Sequence, residues 1–173
     1  VEYGEKYNED DFLLELENRI TPKTRLLSIS HVSFSTGLTF PIKRITEICH
    51  KHNVYVLVDG AQAAGATPVN LHDFGVDFYA AAGRKWLCGP EGIGVLYVKR
   101  SRIPEVDPVF ISPSSIDQRH NLDIHSPYVI PAPFAARYHT ATAMYKPTLL
   151  GFQKSLEFIV HQVNIEWITR RVP

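Results

Sequence analysis

The sequence is poor in cysteine, which argues against a disulfide-stabilised protein and against a cysteine-ligated metal protein. Its two cysteines, Cys49 and Cys88, are too few for a disulfide framework and lack the spacing of a metal site. We therefore expect no bound metal, and we expect a reducing, cytoplasmic setting for the protein.

The sequence also lacks an excess charge and any long apolar run. Lys+Arg and Asp+Glu both number 18, so no basic field suggests nucleic acid or an acidic membrane surface as a partner. No uninterrupted apolar run is long enough to span a bilayer, and the first residues do not resemble a signal peptide. We expect neither a nucleic-acid nor a membrane partner.

The most informative stretch runs from Val54 to Gln62. Its first part, Val54 to Val58, is apolar throughout and predicts a short strand buried on both faces, as in the middle of a parallel sheet. Asp59 follows at the expected end of this strand. Because open α/β sheets bind ligands outside the carboxyl ends of their strands, Asp59 is predicted to face a ligand crevice.

A second strand, residues 77–82, leads through Gly83 and Arg84 to Lys85. An acid and a lysine at the ends of neighbouring strands are what pyridoxal phosphate chemistry requires. The lysine amine forms the Schiff base, and the acid keeps the pyridine nitrogen protonated so that the ring acts as an electron sink. Asp59 and Lys85 are therefore candidates for these two roles.

Strands and helices alternate over the first hundred residues. The patterns predict helices and strands in turn, at residues 8–20 (helix), 25–32 (strand), 41–52 (helix), 54–58, 77–82 and 95–98 (strands). This alternation indicates a three-layer α/β/α domain with a mostly parallel sheet. The last strand need not be parallel, because its connection is too short to contain a helix.

The C-terminal part has a different composition. Seven of the twelve prolines lie in residues 101–147, which predicts extended loops that a second subunit would cover. A helical pattern then resumes over residues 148–169. We expect residues 1–147 to be a cofactor-binding large domain, incomplete at its N-terminus, and residues 148–173 to lead to a missing small domain. The chain is accordingly predicted to be a fragment.

Short motifs in a fixed order connect these elements to a known family. They resemble those of the class V aminotransferases, fold-type I pyridoxal phosphate enzymes that include cysteine desulfurases, selenocysteine lyases and isopenicillin N epimerase-like proteins. The motifs are Ser30-His31-Val32-Ser33, Asp59-Gly60-Ala61-Gln62, Asp77-Phe78-Tyr79, Gly83-Arg84-Lys85 and Gly89-Pro90-Glu91-Gly92-Ile93-Gly94. The resemblance is strong over residues 26–98 and weak from residue 137 onward.

The resemblance implies a pyridoxal 5'-phosphate enzyme acting at the Cα of a small amino acid. Asp59 would bind the pyridine nitrogen, and Gln62 would hydrogen-bond the phenolic oxygen of the ring. Lys85 would be the catalytic residue, carrying the cofactor as a Schiff base and transferring the Cα proton.

The phosphate-binding residues depart from the desulfurase pattern. Desulfurases usually have Ser-Gly-His before the lysine, whereas this chain has Ala82 and Arg84 in the outer positions. A guanidinium binds phosphate well, so Arg84 is expected to replace the histidine. Phe34 stands where desulfurases have an asparagine that touches the cofactor, and Ser33 or Ser35 is expected to compensate.

The weaker C-terminal match assigns one residue to a subunit interface. The segment that ends at Thr142 resembles a family stretch whose threonine reaches the phosphate of the neighbouring subunit. This implies a homodimer. The other phosphate loop and the ring-stacking residue would precede Val1, whereas the arginine that holds the substrate carboxylate would follow Pro173.

Several alternatives stay open at this point. Transamination, elimination of sulfur or selenium, and epimerisation share their first steps, and a non-catalytic dimerising protein or a flavodoxin-like nucleotide binder would use the same sheet. Arg84 could form a surface ion pair, and His31 could be structural or catalytic. Cys88 is expected to be a buried structural thiol, not a nucleophile.

Overall fold

The computed structural model describes residues 7–117, 129–140 and 145–171. Four strands form one sheet, in the spatial order β1-β2-β3-β4. Their bounds are Leu26–Ser30 (β1), Tyr55–Asp59 (β2), Phe78–Ala82 (β3) and Gly94–Val98 (β4). Each strand overlaps the segment that the sequence predicted.

The sheet is mixed, with three parallel strands and one antiparallel edge. β1 pairs parallel to β2, and β2 pairs parallel to β3, so their carboxyl ends meet at one edge of the sheet. β4 pairs antiparallel to β3, which agrees with its short connection. This is the α/β architecture expected from the alternation of elements, and it fixes where a ligand crevice can form.

The first two helices have clear local causes. In α1 (Glu9–Arg19) the Asn8 side chain caps the first turn by accepting from the backbone N–H groups of Asp10 and Asp11, at 2.9 and 3.2 Å. α2 (Ile42–Lys51) is amphipathic and buries one face against the sheet. The buried residues of that face are Ile42, Ile45, Thr46 and Cys49.

The core lies between α2 and the inner strand β2. Val56 and Val58 of β2 are fully buried, as are Ile45 and Cys49 of α2. The alternate residues of β2 are partly exposed, so β2 is less enclosed in this chain than its continuous apolar run predicted.

One short helix was not predicted from the sequence. α3 spans Leu71–Phe74, in a segment for which the sequence predicted neither a helix nor a strand. The Asn70 side chain accepts from the Asp73 N–H at 3.1 Å, and Gly75 ends the helix with a φ of 70°. A side-chain cap followed by a left-handed glycine was therefore the available signal.

The predicted C-terminal helix is interrupted. α4 (Lys146–Phe158) continues into one π-helical segment, Ile159–Val163, and the short α5 (Ile165–Thr169) follows. Asn164 separates them with a φ of 71°, and its side chain accepts from the Glu166 N–H at 2.8 Å. Asn164 therefore ends one helix and caps the next, although the apolar pattern that predicted a single helix continues past it.

The proline-rich segment holds little regular structure where it is described. Its helical pieces there are two short 3₁₀ helices, Arg100–Glu105 and Ala135–Tyr138. Over the described residues, no helix combines the length and the apolar character needed to cross a membrane.

Candidate functional site

The site begins at Asp59, the last residue of β2. Asp59 is in register with Ser30 of β1 and Ala80 of β3, so it stands at the carboxyl edge of the parallel strands. Its Oδ1 accepts from the Ala61 N–H at 2.9 Å, which holds the carboxylate over the turn. The residue is exposed. An anionic side chain is thus presented outward at the place where such sheets bind ligands.

Lys85 reaches the same edge from β3. It follows the last strand residue, Ala82, within a tight turn in which the Lys85 carbonyl accepts from the Cys88 N–H at 2.8 Å. The lysine is half-buried. Within residues 7–117, 129–140 and 145–171, no carboxylate forms an ion pair with its amine. The amine is therefore not committed to a described partner.

Gln62 joins the loop after β2 to the loop after β3. Its Oε1 accepts from the indole N–H of Trp86 at 3.2 Å, next to Lys85 in the chain. Gly65 packs the same two loops together, because a Cβ there would lie 2.7 Å from the Trp86 carbonyl oxygen. These contacts join the loop after Asp59 to the loop that contains Lys85, while the roles of Asp59, Gln62 and Lys85 stay predictions.

Arg84 is directed to an acidic neighbour. Its Nε lies 3.3 Å from Oε2 of Glu91, and the two side chains are 53% and 83% exposed. Ion pairs this exposed contribute less than about 1 kcal/mol, so binding of a phosphate could replace this one at little cost. The arrangement is the surface ion pair that the sequence had left as an alternative.

Ser33 lies beyond β1, at the same edge of the sheet. Its Oγ is 3.2 Å from the Ser35 Oγ and accepts from the Thr36 N–H at 3.4 Å, so the loop is held by its own polar groups. Phe34 between them is 86% exposed. Thr142, the predicted residue at the subunit interface, lies outside the described residues.

A buried His–Tyr pair lies beneath this edge. His31 Nδ1 is 3.0 Å from the Tyr79 hydroxyl, and the two residues are only 4% and 3% exposed. Burial lowers the pKa of His31 to about 4, and burial followed by the charge of Asp59 raises the pKa of Tyr79. The sequence had left the role of His31 open, and Tyr79 had been noted only as part of a motif.

The prediction for Cys88 was wrong, since this thiol is exposed while Cys49 is buried. Cys88 has a φ of 53° in the turn after Lys85, and its Sγ lies 3.8 Å from the Trp86 carbonyl oxygen. The turn itself places the residue outside the core, which an apolar neighbourhood in the sequence did not reveal.

No group of three or more potential metal ligands occurs among the residues described. His50, near the end of α2, and His52, which directly follows the helix, have separate partners. His50 Nε2 lies 2.9 Å from Oδ2 of Asp77, and His52 Nε2 lies 2.9 Å from Oε1 of Glu17.

Asp77 stands at the opposite edge of the sheet, immediately before β3. It is fully buried and accepts from Arg102 Nε and the Val56 N–H, both at 2.8 Å, as well as lying near His50. Burial opposes its ionisation, but these hydrogen bonds outweigh burial and lower the pKa of the Asp77 carboxyl. This network anchors the start of β3 and lies away from the sheet edge that holds Asp59 and Lys85.

An α/β sheet with an acid and a lysine at adjacent strand ends defines the class of protein. The chain belongs to the class V aminotransferase family, whose sequence model, described as Aminotransferase class-V, matches residues 5–171.

Curated relatives within this family are cysteine desulfurases. The probable cysteine desulfurase of Halalkalibacterium halodurans is 41% identical over 103 residues, which cover 60% of this chain and 25% of that protein. The cysteine desulfurase of Escherichia coli O8 (strain IAI1) is 45% identical over 101 residues, 57% of this chain and 25% of that protein. The chain thus spans about a quarter of the length of the curated relatives that it matches.

Solved structures of similar enzymes superpose on a larger part of the chain than the sequence matches cover. The cystine C–S lyase C-DES, in complex with its reaction product cysteine persulfide, superposes with a TM-score of 0.80 at 33% identity, covering 92% of this chain and 42% of that one. The cysteine desulfurase CsdA of Escherichia coli gives a TM-score of 0.75 at 27% identity, covering 90% and 37%.

Proposed function

We propose that the protein is a pyridoxal phosphate-dependent enzyme that acts at the Cα of a small amino acid and carries its cofactor on Lys85. The observation that carries this proposal is that Asp59 ends β2 while Lys85 lies three residues past the end of the adjacent parallel strand β3. The set of donors fits the cofactor, because an outward carboxylate and a lysine without a described ion pair are the groups that a pyridine ring and an aldehyde require.

The chain's own residues then have separate tasks. Asp59 holds a proton on the pyridine nitrogen, since a nearby carboxylate favours the charged form of that ring. Gln62, fixed by Trp86, offers its amide N–H groups to the phenolic oxygen. Lys85 Nζ attaches the cofactor and moves the Cα proton. The cofactor supplies an electron sink for the charge that develops at Cα.

The phosphate group has three proposed contacts. Arg84 would exchange its exposed pair with Glu91 for the phosphate, and Ser33 would contribute from the loop after β1. Thr142 would reach the phosphate from a second subunit. Because Ala82 lacks a hydroxyl where desulfurases have one, Arg84 is expected to provide more of the phosphate binding than the histidine it replaces.

Cleavage of the C–S bond of cysteine is the reaction that the relatives favour. They include cysteine desulfurases, and the structure of C-DES contains cysteine persulfide as its reaction product. Transamination is the second candidate, because the departures at Phe34 and Ala82 from the desulfurase pattern count against desulfuration. The two reactions differ in their products: sulfide after thiol reduction in one, a transferred amino group in the other.

We infer that the full-length protein is a cytoplasmic homodimer with a large cofactor domain, formed in part by residues 1–147, and a small domain that follows residues 148–173. The apolar side chains of α4 support a covered face, since Leu149, Leu150 and Phe158 are 45%, 60% and 56% exposed. Light scattering coupled to gel filtration should give a mass of two chains. A monomeric mass at micromolar concentration would contradict the dimer.

The cofactor proposal is tested by mixing the purified full-length protein with pyridoxal phosphate. The protein should turn yellow, and the colour should change when L-cysteine is added. Lys85→Ala should abolish the covalent attachment, whereas Lys51→Ala, an exposed lysine at the end of α2, should leave it intact. A protein that stays colourless would instead support a non-catalytic scaffold.

The reaction is tested on the same preparation. Incubation with L-cysteine and a reducing thiol should release sulfide and leave alanine. Absence of sulfide together with amino transfer to a 2-oxo acid would exclude desulfuration and establish transamination.

A further inference from the structure

The His31–Tyr79 pair is buried directly beneath the turn that carries Asp59. Besides the 3.0 Å hydrogen bond between them, their rings meet edge to face at 82°, with centroids 6.1 Å apart. Phe74 of α3 also meets the His31 ring edge to face, with centroids 5.3 Å apart at 88°. Two aromatic rings therefore pack against the buried imidazole and restrict its orientation.

Both members of the pair also contact the Asp59–Gly60 turn. The His31 N–H donates to the Asp59 carbonyl at 2.8 Å. The Tyr79 ring lies so close to Gly60 that a Cβ at this position would overlap the ring atoms Cε1, Cζ and OH. Gly60 in turn donates its N–H to the Ala80 carbonyl at 2.7 Å. The turn is thereby clamped between the end of β1 and the body of β3.

The electrostatic state of the pair suits this position. Burial lowers the pKa of His31 to about 4, so the imidazole is neutral at physiological pH. The Tyr79 hydroxyl, whose pKa is raised by burial and by Asp59, is neutral as well. A neutral pair places no cation beneath the turn that could neutralise the Asp59 carboxylate in competition with a pyridine nitrogen.

We propose that His31 and Tyr79 are positioning residues, whose buried hydrogen bond fixes the Asp59–Gly60 turn and so aims the Asp59 carboxylate at the cofactor's pyridine nitrogen. The inference rests on the proposed function. It assigns no catalytic step to either side chain, because both lie below the surface at which the substrate would react.

The test uses Tyr79→Phe in the full-length protein, which removes the hydroxyl and keeps the ring. The dissociation constant for pyridoxal phosphate should rise about ten-fold, as expected for the loss of one buried hydrogen bond that orients a ligand. The pH midpoint of the bound cofactor's visible absorbance should also shift. In the cofactor-free protein, the ¹⁵N resonances of the His31 imidazole should change, which reports the pair without the cofactor.

Tyr55→Phe is the matched control. The Tyr55 hydroxyl donates to Oε2 of Glu105 at 2.8 Å, and Tyr55 begins β2, at the end away from Asp59. This variant removes a hydroxyl from an exposed hydrogen bond of β2 and should leave the dissociation constant and the absorbance midpoint unchanged. If Tyr79→Phe lowered thermal stability but, like Tyr55→Phe, left both cofactor measurements unchanged, the role of Tyr79 would be purely structural and the inference would be overturned.

Two substitutions of His31 provide a second comparison, and they test the same inference if Tyr79→Phe does not fold. His31→Gln retains a side-chain amide able to hydrogen-bond the Tyr79 hydroxyl and should restore most of the affinity that His31→Leu loses. Equal affinities in both variants, matching the wild type, would refute the inference while leaving the proposed function intact. A wild-type protein that binds no pyridoxal phosphate would refute the proposed function and this inference together.

Discussion

The Asp77 carboxylate makes more described hydrogen bonds than the side chain of either Asp59 or Lys85. It nevertheless lies at the opposite end of the strands from those two residues. Arg102, His50 and the Val56 N–H all bond to it. Replacing this fully buried carboxylate leaves its hydrogen-bond donors without an anionic acceptor. Stability, not chemistry, is therefore the expected role of this residue.

We expect Asp77→Asn to lower the free energy of unfolding by about 1–3 kcal/mol, the usual loss when a buried polar group loses its partner, because Arg102 is 25% exposed and keeps Glu105 as a second partner. Urea unfolding followed by circular dichroism measures this change. The control is Asp73→Asn, which removes the exposed Lys43–Asp73 pair and should cost less than about 1 kcal/mol. Equal losses in the two variants would show that the network contributes nothing beyond a surface pair.

The Asp77 network also predicts a direction for acid denaturation. Its folded-state pKa lies below the ordinary value of 3.8, so its contribution is fully present above that pH and is lost as the pH falls below it. The difference in unfolding free energy between wild type and Asp77→Asn should shrink below pH 3.8. A difference that stays constant down to pH 2 would contradict the shifted pKa.

His31 predicts a second pH dependence at a higher range. Because burial lowers its pKa from 6.5 to about 4, the folded state binds its proton less readily than the unfolded state does. Stability from the neutral imidazole is present above pH 6.5 and falls by roughly 3 kcal/mol as the pH drops toward 4. His31→Gln should unfold with a flatter profile between these limits, and an identical slope would exclude a buried neutral histidine.

At the scale of elements, the packing of the loop after β2 on the loop after β3 should matter for cofactor binding. Gly65 has a φ of 94° and lies against the Trp86 backbone, whereas Gly92 has a φ of 77° and open space around it. Both glycines have a positive φ, but only Gly65 has close neighbours. Comparing the two alanine substitutions therefore separates the cost of backbone strain from the cost of the lost close packing.

Gly65→Ala should therefore cost more than Gly92→Ala, which carries only the left-handed strain of about 1–2 kcal/mol. Only Gly65→Ala should also weaken pyridoxal phosphate binding, because it moves the loop that holds Lys85 and Trp86. Thermal melts and cofactor titrations of the two variants provide the comparison. Equal cofactor affinities would show that the two loops are not coupled.

The elements themselves were largely predictable, and the exceptions have physical causes. Helical periodicity located α1 and α2 within a few residues, and short apolar runs located the four strands equally closely. α3 was missed because four residues give no periodic signal, leaving only its Asn70 cap and Gly75. The single C-terminal helix was wrong because Asn164 starts a new cap within an apolar pattern that continues past it.

For the whole molecule, the parallel order of β1, β2 and β3 was enough to predict that Asp59 and Lys85 share an edge. The contacts beneath that edge were not predictable from spacing. His31 and Tyr79 are 48 residues apart, and only the packed sheet brings the imidazole and the hydroxyl together. Arg84 shows the same limit, since its partner Glu91 belongs to a turn whose path depends on β4.

The central claim is that Lys85 carries the cofactor, and one measurement tests it most directly. The full-length protein is loaded with pyridoxal phosphate, reduced with borohydride, digested and mapped by mass spectrometry. We expect the reduced pyridoxyl group on the peptide that contains Lys85, and none in Lys85→Ala. A label of normal yield on another lysine, or its persistence in Lys85→Ala, would contradict the assignment.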